Sequence, residues 1–205
     1  MVNSLSVQRL TTNPLEAGAL VTTYLQMRTP DELRTANRAS RSETFEIREL
    51  NSPNWKFNRE MYFKVGEKWK WTDKRPWTDD QWKEYASDLS LRTFAAYFEG
   101  QIAGYYELKR TSDGGHPQSG RETQIVEQKA KAEIEIAYFG LLAHAIGHGV
   151  GKHLLSCAVR DAWALGPSRV WLHTCTLDHP AALPNYKKRG FVPYKTETYE
   201  VNFPS

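Results

Sequence analysis

The sequence predicts a single α/β domain, and three stretches carry that expectation. The run AEIEIAYFGLL (132–142) is strand-like. It passes through glycines at every second position, Gly147, Gly149 and Gly151, into a helical pattern with Leu154, Leu155, Ala158, Val159, Ala162 and Trp163 on one face. After a Gly166-Pro167 stop, RVWLHTCTL (169–177) reads as the next strand. Upstream, LRTFAAYFEGQIAGYYELKR (91–110) reads as a hairpin turning at Glu99-Gly100-Gln101. Strand, helix and strand in succession mark the α/β class.

The other elements follow in chain order. ALVTTYLQM (19–27) predicts a first strand ended by Thr29-Pro30, and the polar residues 32–44 a short helix or an excursion. FEIREL (45–50) predicts a short strand, and Ser52-Pro53 starts a helix through Asn58, Met61, Tyr62 and Val65. The segment 69–82 is turn-rich and aromatic, with Thr78 placed to cap a helix through Trp82 and Tyr85. Residues 111–129 are polar and Gly-rich, with too few apolar side chains to offset the entropy of ordering, and read as a mobile excursion. A short helix over 180–189 and a strand VPYKTETYEV close the chain.

Composition narrows the function classes. A chain of 205 residues, 40% hydrophobic with seven tryptophans, can bury one core, so residues 1–205 are read as one domain. The net charge of +3 is dispersed, which argues against a nucleic-acid surface and suits a small anionic ligand. Cys157 and Cys175 lack metal-ligand spacing and read as reduced core residues, so no metal is expected. The N-terminal MVNSLSVQRL lacks an apolar signal core and no stretch reaches membrane-spanning length, so a cytoplasmic protein with no membrane partner is expected. Monomer and homodimer are both open.

The glycine alternation is the most informative chemistry. Glycines where a strand hands over to a helix leave the first-turn N–H groups unshielded, with the positive end of the helix dipole behind them, and that arrangement binds phosphate.

Strand, glycine turn, long helix, strand and a short helix ending Tyr-x-x-x-Gly-Phe resembles the GNAT superfamily of acyl-CoA N-acyltransferases, best over about 132–192. Its signature Gln/Arg-x-x-Gly-x-Gly/Ala is matched at both glycines by Ile146-Gly-His-Gly-Val-Gly151, with Ile146 in place of Gln or Arg. Ala182, Tyr186, Gly190 and Phe191 match the second signature. The resemblance implies a mixed central sheet flanked by helices, with splayed central strands, and acetyl-CoA as cosubstrate. It implies a cofactor cradle of Ile146, Gly147, His148, Gly149, Val150, Gly151 and Lys152, in which Ile146 offers only its N–H. The pantetheine arm would pair with Phe139, Gly140 and Leu141, Gly140 being suited to a bulge.

The resemblance also assigns catalytic candidates. Strand alternation puts Glu133, Glu135, Ala137 and Phe139 on one face, with Glu133 where some members carry a glutamate base. His173 is the second candidate base, although counting back from Tyr186 puts Thr174 at that position. Tyr186 stands at the general-acid position, with Pro184 as a possible helix break. The asparagine that contacts the coenzyme arm corresponds to His179 or Asp178. Trp69, Trp71, Trp77 and Trp82 lie where the acceptor-side wall forms. The expected activity is N-acetylation of a small-molecule amine. A protein-lysine acetyltransferase and a non-catalytic acyl-CoA sensor are the alternatives.

Overall fold

The computed structural model describes residues 8–9, 19–36, 44–51, 53–69, 71–111 and 132–200. Its strands are β1 (Gln8–Arg9), β2 (Ala19–Met27), β3 (Phe45–Glu49), β4 (Leu91–Phe98), β5 (Gln101–Thr111), β6 (Glu133–Leu141), β7 (Arg169–Cys175) and β8 (Val192–Glu200). They form one sheet in the order β1-β8-β2-β7-β6-β5-β4-β3. Only β6 and β7 run parallel. The helices are α1 (Trp55–Gly66), α2 (Asp79–Ala86), α3 (Val150–Ala164) and α4 (Ala182–Lys188). The mixed, helix-flanked sheet implied by the signatures is therefore present. Of the expected excursion 111–129, Thr111 closes β5 and the rest lies outside the described residues.

Each face of the sheet has its own apolar layer. On one face Leu154, Leu155, Ala158, Val159 and Ala162 of α3 pack with Leu25, Tyr106, Ile134, Val170 and Leu172, and Tyr186 of α4 joins them. On the other, Met61 and Val65 of α1 pack with Tyr105. Thr78 caps α2 with a capping box completed by Gln81, as its position predicts. Asn54, rather than the Ser52-Pro53 step, caps α1 by accepting from the Phe57 N–H at 3.1 Å.

Beneath α1 and α2 lies a buried carboxylate. Asn58 Nδ2 donates to Glu107 Oε1 and to Thr93 Oγ1, each at 2.8 Å, and the Tyr85 hydroxyl donates to the other Glu107 oxygen. Glu107 is 1% exposed, and burial raises its carboxyl above the usual range. A buried acid with fewer partners would be strongly destabilising, so this network ties both helices to β4 and β5.

One residue alters the phase of β6. Opposite β5, Glu107 pairs with Tyr138 and Leu108 with Ile136, which leaves Ala137 as an extra residue, a β-bulge. Ile134 and Ile136 before the bulge and Phe139 and Leu141 after it contact the same core, whereas Tyr138 packs towards α1. The expected single face of Glu133, Glu135, Ala137 and Phe139 is thus broken at Ala137. Gly140 is not the bulge: it pairs with Tyr105, and a Cβ there would lie 2.2 Å from Val65 Cγ1.

Gly190, beyond α4, has φ +106°, and a Cβ built on it would stand 1.9 Å from the Glu32 carbonyl oxygen. Both the backbone conformation and the space require glycine. Gly190→Ala should therefore lower stability by about 2–4 kcal/mol, read as a fall in the denaturant midpoint. An unchanged midpoint would contradict this close approach.

Candidate functional site

The central strands part soon after they meet. The β6–β7 ladder joins Glu133 to Arg169, Ile134 to Val170 and Glu135 to Trp171, and ends there. Beyond it β7 stays with β2 as far as Cys175, and β6 stays with β5 as far as Leu141. A cleft of about 710 Å³ opens between them, lined on one side by the β6 edge from Ile136 to Leu141. On that edge the backbone groups directed at β7 are left without a strand partner.

The glycine turn closes one end of the cleft. After β6 a 3-10 turn at Ala143–Ala145 leads through Ile146 to Gly149, the N-cap of α3. Gly147 has φ +94° and Gly149 φ +70°, which aim the backbone of the first turn outward at no steric cost. Gly147, Gly149, Gly151, Ile146 and Lys152 line the cleft. Val150 and His148 do not present their side chains to it. Val150 is buried with Phe98, Ala103 and Ala145, and the His148 ring lies 5.6 Å from that of Phe98. The Ile146 N–H is already engaged by the Ala143 carbonyl at 3.3 Å, so the free amides belong to the residues that follow.

Facing the cleft from β7 is His173, 46% exposed, with Nδ1 3.2 Å from Glu135 Oε1 on β6. Partial burial of the ring opposes protonation. The Glu135 hydrogen bond and charge outweigh it, with Asp178 and Asp73 adding to them, and the imidazole is raised above 6.5. Thr174, the alternative in register, is buried and donates to Asp178 Oδ2 at 2.7 Å. Glu133 sits where β6 and β7 are still paired, 4% exposed and 2.5 Å from Arg169, and does not line the cleft.

Over this end lies the segment after α1. Trp71 Nε1 donates to Asp178 Oδ1 at 3.2 Å, and the Trp69 ring meets His179 edge-on at 4.7 Å. Asp73 accepts from the hydroxyls of Tyr62 (2.6 Å) and Tyr138 (2.7 Å). Burial would raise its carboxyl, but these hydrogen bonds and Lys74 overcome that and lower it. Trp69 and Trp71 line the cleft, whereas Trp77 and Trp82 pack on each other at 5.2 Å. Cys175, expected in the core, lines the cleft as well.

Tyr186 enters from α4. It is 7% exposed, packs on Phe139 with ring centroids 6.2 Å apart, and its hydroxyl has no hydrogen-bond partner among the described residues. Burial, with the Asp178 charge, raises its phenol well above the ordinary value. Pro184 does not break the helix. It is the third residue of α4, within the first turn, where an N–H has no intrahelical acceptor to lose. Asp73 and Tyr138, which line the cleft, and Glu135, behind His173, are the polar groups that sequence reasoning left without a role there, whereas Asp178, a candidate contact for the coenzyme arm, lines the cleft and is bound by Trp71 and Thr174. The Ala137 bulge hid Tyr138, and Asp73 lies in an aperiodic turn.

Residues 45–191 match the acetyltransferase (GNAT) family. The chain belongs to that family. Solved structures share its fold at low identity. A functionally unknown conserved protein from Staphylococcus epidermidis ATCC 12228 aligns over 90% of this chain and 63% of its own, with TM-score 0.52 and 15% identity. A GCN5-related N-acetyltransferase from Kribbella flavida aligns over 91% and 61%, with TM-score 0.56 and 14% identity. An aminoglycoside acetyltransferase from an uncultured soil metagenomic sample aligns over 71% and 86%, with TM-score 0.53 and 13% identity. The chain thus spans less than two thirds of the Staphylococcus and Kribbella proteins. Among the described residues, no helix is long and apolar enough to cross a membrane.

The His173–Glu135 pair makes a pH prediction. A folded pKa above 6.5 means that the pair contributes stability in full below about 6.5, and that this contribution is lost as pH rises through the folded value. An NMR titration of the His173 ring should give a midpoint above 6.5, lowered by Glu135→Gln. A midpoint that ignores the substitution would remove Glu135 as the cause.

Proposed function

We propose that this chain is an acetyl-CoA-dependent N-acetyltransferase acting on the amine of a small molecule. The observation that carries the reading is the convergence on one cleft of the unpaired β6 edge, the left-handed glycine turn, the His173–Glu135 pair and the Tyr186 hydroxyl, which has no partner among the described residues.

The residues present fit the coenzyme. The outward N–H groups at the start of α3 and the neighbouring Lys152 suit a pyrophosphate, and the free edge at Phe139, Gly140 and Leu141 suits the amides of the pantetheine arm. Acetyl-CoA supplies the activated thioester. An amine with a pKa of about 10.4 costs roughly 4–5 kcal/mol to deprotonate at pH 7, and one near 8 about 1, so a base is needed for most acceptors. His173 takes the proton from the attacking nitrogen while Glu135 holds the tautomer that leaves Nε2 free. Tyr186 gives its proton to the departing sulfur as the carbon–sulfur bond breaks and the carbon–nitrogen bond forms. Glu133, the other candidate base, is committed to Arg169.

Gly149→Asp tests the cradle. Aspartate tolerates the left-handed conformation better than most residues, so folding should persist while a carboxylate displaces the pyrophosphate. Acetyl-CoA affinity by calorimetry should fall severely, and unchanged affinity would remove the cradle from the reading. Tyr186→Phe tests the chemistry. It should leave coenzyme affinity nearly unaltered and lower kcat by about 10²–10⁴ in thiol release with an accepted amine. Full activity would remove Tyr186 from the mechanism. A wild-type protein that binds acetyl-CoA and releases no thiol with any amine would favour a sensor.

A further inference from the structure

The two ends of the cleft carry opposite charge, and this bears on the acceptor in the transferase reading proposed above. Lys152, in the first turn of α3, and Lys188 and Arg189, at the C-terminal end of α4, line the cleft. They share one side of the cleft: the Arg189 carbonyl accepts from the Arg34 N–H at 2.9 Å, and the nearby Ala36 N–H donates to Ser156 of α3 at 3.0 Å. At the other end are Asp73, Asp178 and, behind His173, Glu135, linked by the Trp71–Asp178 and Tyr138–Asp73 hydrogen bonds. The basic groups there are Arg75, whose Nε donates to the Trp71 carbonyl at 2.7 Å, and Lys74, which is likewise committed. Its ammonium lies 3.3 Å from Asp73 and 4.3 to 5.1 Å from the rings of Trp77, Tyr85 and Tyr138.

Asp178 is left with neutral donors alone among the described residues: the Thr174 hydroxyl, the Cys175 N–H and the Trp71 indole. A carboxylate has about four acceptor sites, so Asp178 and Asp73, with three donors each, both retain one. Tyr186, whose hydroxyl has no hydrogen-bond partner among the described residues, lines the same cavity. All three carboxylates also favour the protonated form of His173, so a negative field reaches the reacting position. Behind Asp73, Lys74 is an ammonium held against three aromatic rings, of which Tyr138 lines the cleft. A monoamine must shed its only charge to react and would forfeit that field. An acceptor with a second basic nitrogen keeps it.

We infer that the acceptor carries at least two basic nitrogens, one delivered to His173 and another held protonated by Asp73 and Asp178 beside the indoles of Trp69 and Trp71. Calorimetric binding of 1,5-diaminopentane and 1-aminopentane to the full chain tests this without relying on turnover. The diamine should bind about ten- to a hundredfold tighter, the range expected for hydrogen bonds to a charged group. The preference should shrink as salt is raised. Asp73→Asn and Asp178→Asn should each reduce it, and the salt series on the wild type remains decisive if either variant folds poorly. Equal affinities, no measurable diamine binding, or a preference that ignores both salt and substitution would overturn the inference. Its failure is separable from that of the transferase reading. Thiol release with monoamines and no diamine preference sinks the inference alone, whereas diamine binding without thiol release sinks the transferase reading alone.

Discussion

β6 and β7 share three residue pairs and then diverge, and the peptide groups beyond Glu135 must find partners elsewhere. A buried backbone donor or acceptor without a partner costs about 1–3 kcal/mol, so a sheet opened at its centre is sustained only where the opening admits water or a ligand. Each functional group takes its place from that divergence. Phe139 and Leu141 turn to the core while their backbone edge lines the cleft, Tyr186 packs on Phe139, and His173, two residues past the last pair, reaches across to Glu135 within it. Had the ladder continued to Leu141, no space would separate the strands.

The wall of the cleft beneath α1 and α2 is held by polar networks as well as by apolar contacts. Glu107 fastens α1 and α2 to the sheet through Asn58 and Tyr85, and Asp73 gathers Tyr62, Tyr138 and Lys74 at the cleft wall. Such networks are stable when complete and costly when one member is lost. The Trp71–Asp178 bond extends the arrangement to the β7–α4 connection, so the segment after α1 and the loop before α4 are positioned together.

Much of this was legible in the sequence, for identifiable reasons. The hairpin at Glu99-Gly100, the Thr78 cap, the glycine turn and the α3 stripe all rest on local rules that tertiary packing did not overturn. Tyr186 was legible as a candidate because it belongs to a signature, and His173 because Trp171-Leu172 sets its register, although the count back from Tyr186 pointed to Thr174. Their partners were not. Glu135 meets His173 from a strand 38 positions away in number, a pairing visible only through the parallel ladder. Asp73 lies in a turn where no periodicity applies. Glu133 reads as a functional acid by alternation, yet its neighbour Arg169 is brought to it by topology alone.

The extra residue at Ala137 has a consequence for tracing descent. A strand with one inserted position keeps the same composition while every later side chain changes sides. Relatives that lack the bulge would pair column by column with this chain through Ile136 and be displaced by one from Tyr138 onward, unless a gap is opened at Ala137. Gapless comparison would then equate a cleft-facing tyrosine with a core aromatic. Where the gap falls, rather than how many letters agree, decides which proteins share this wall.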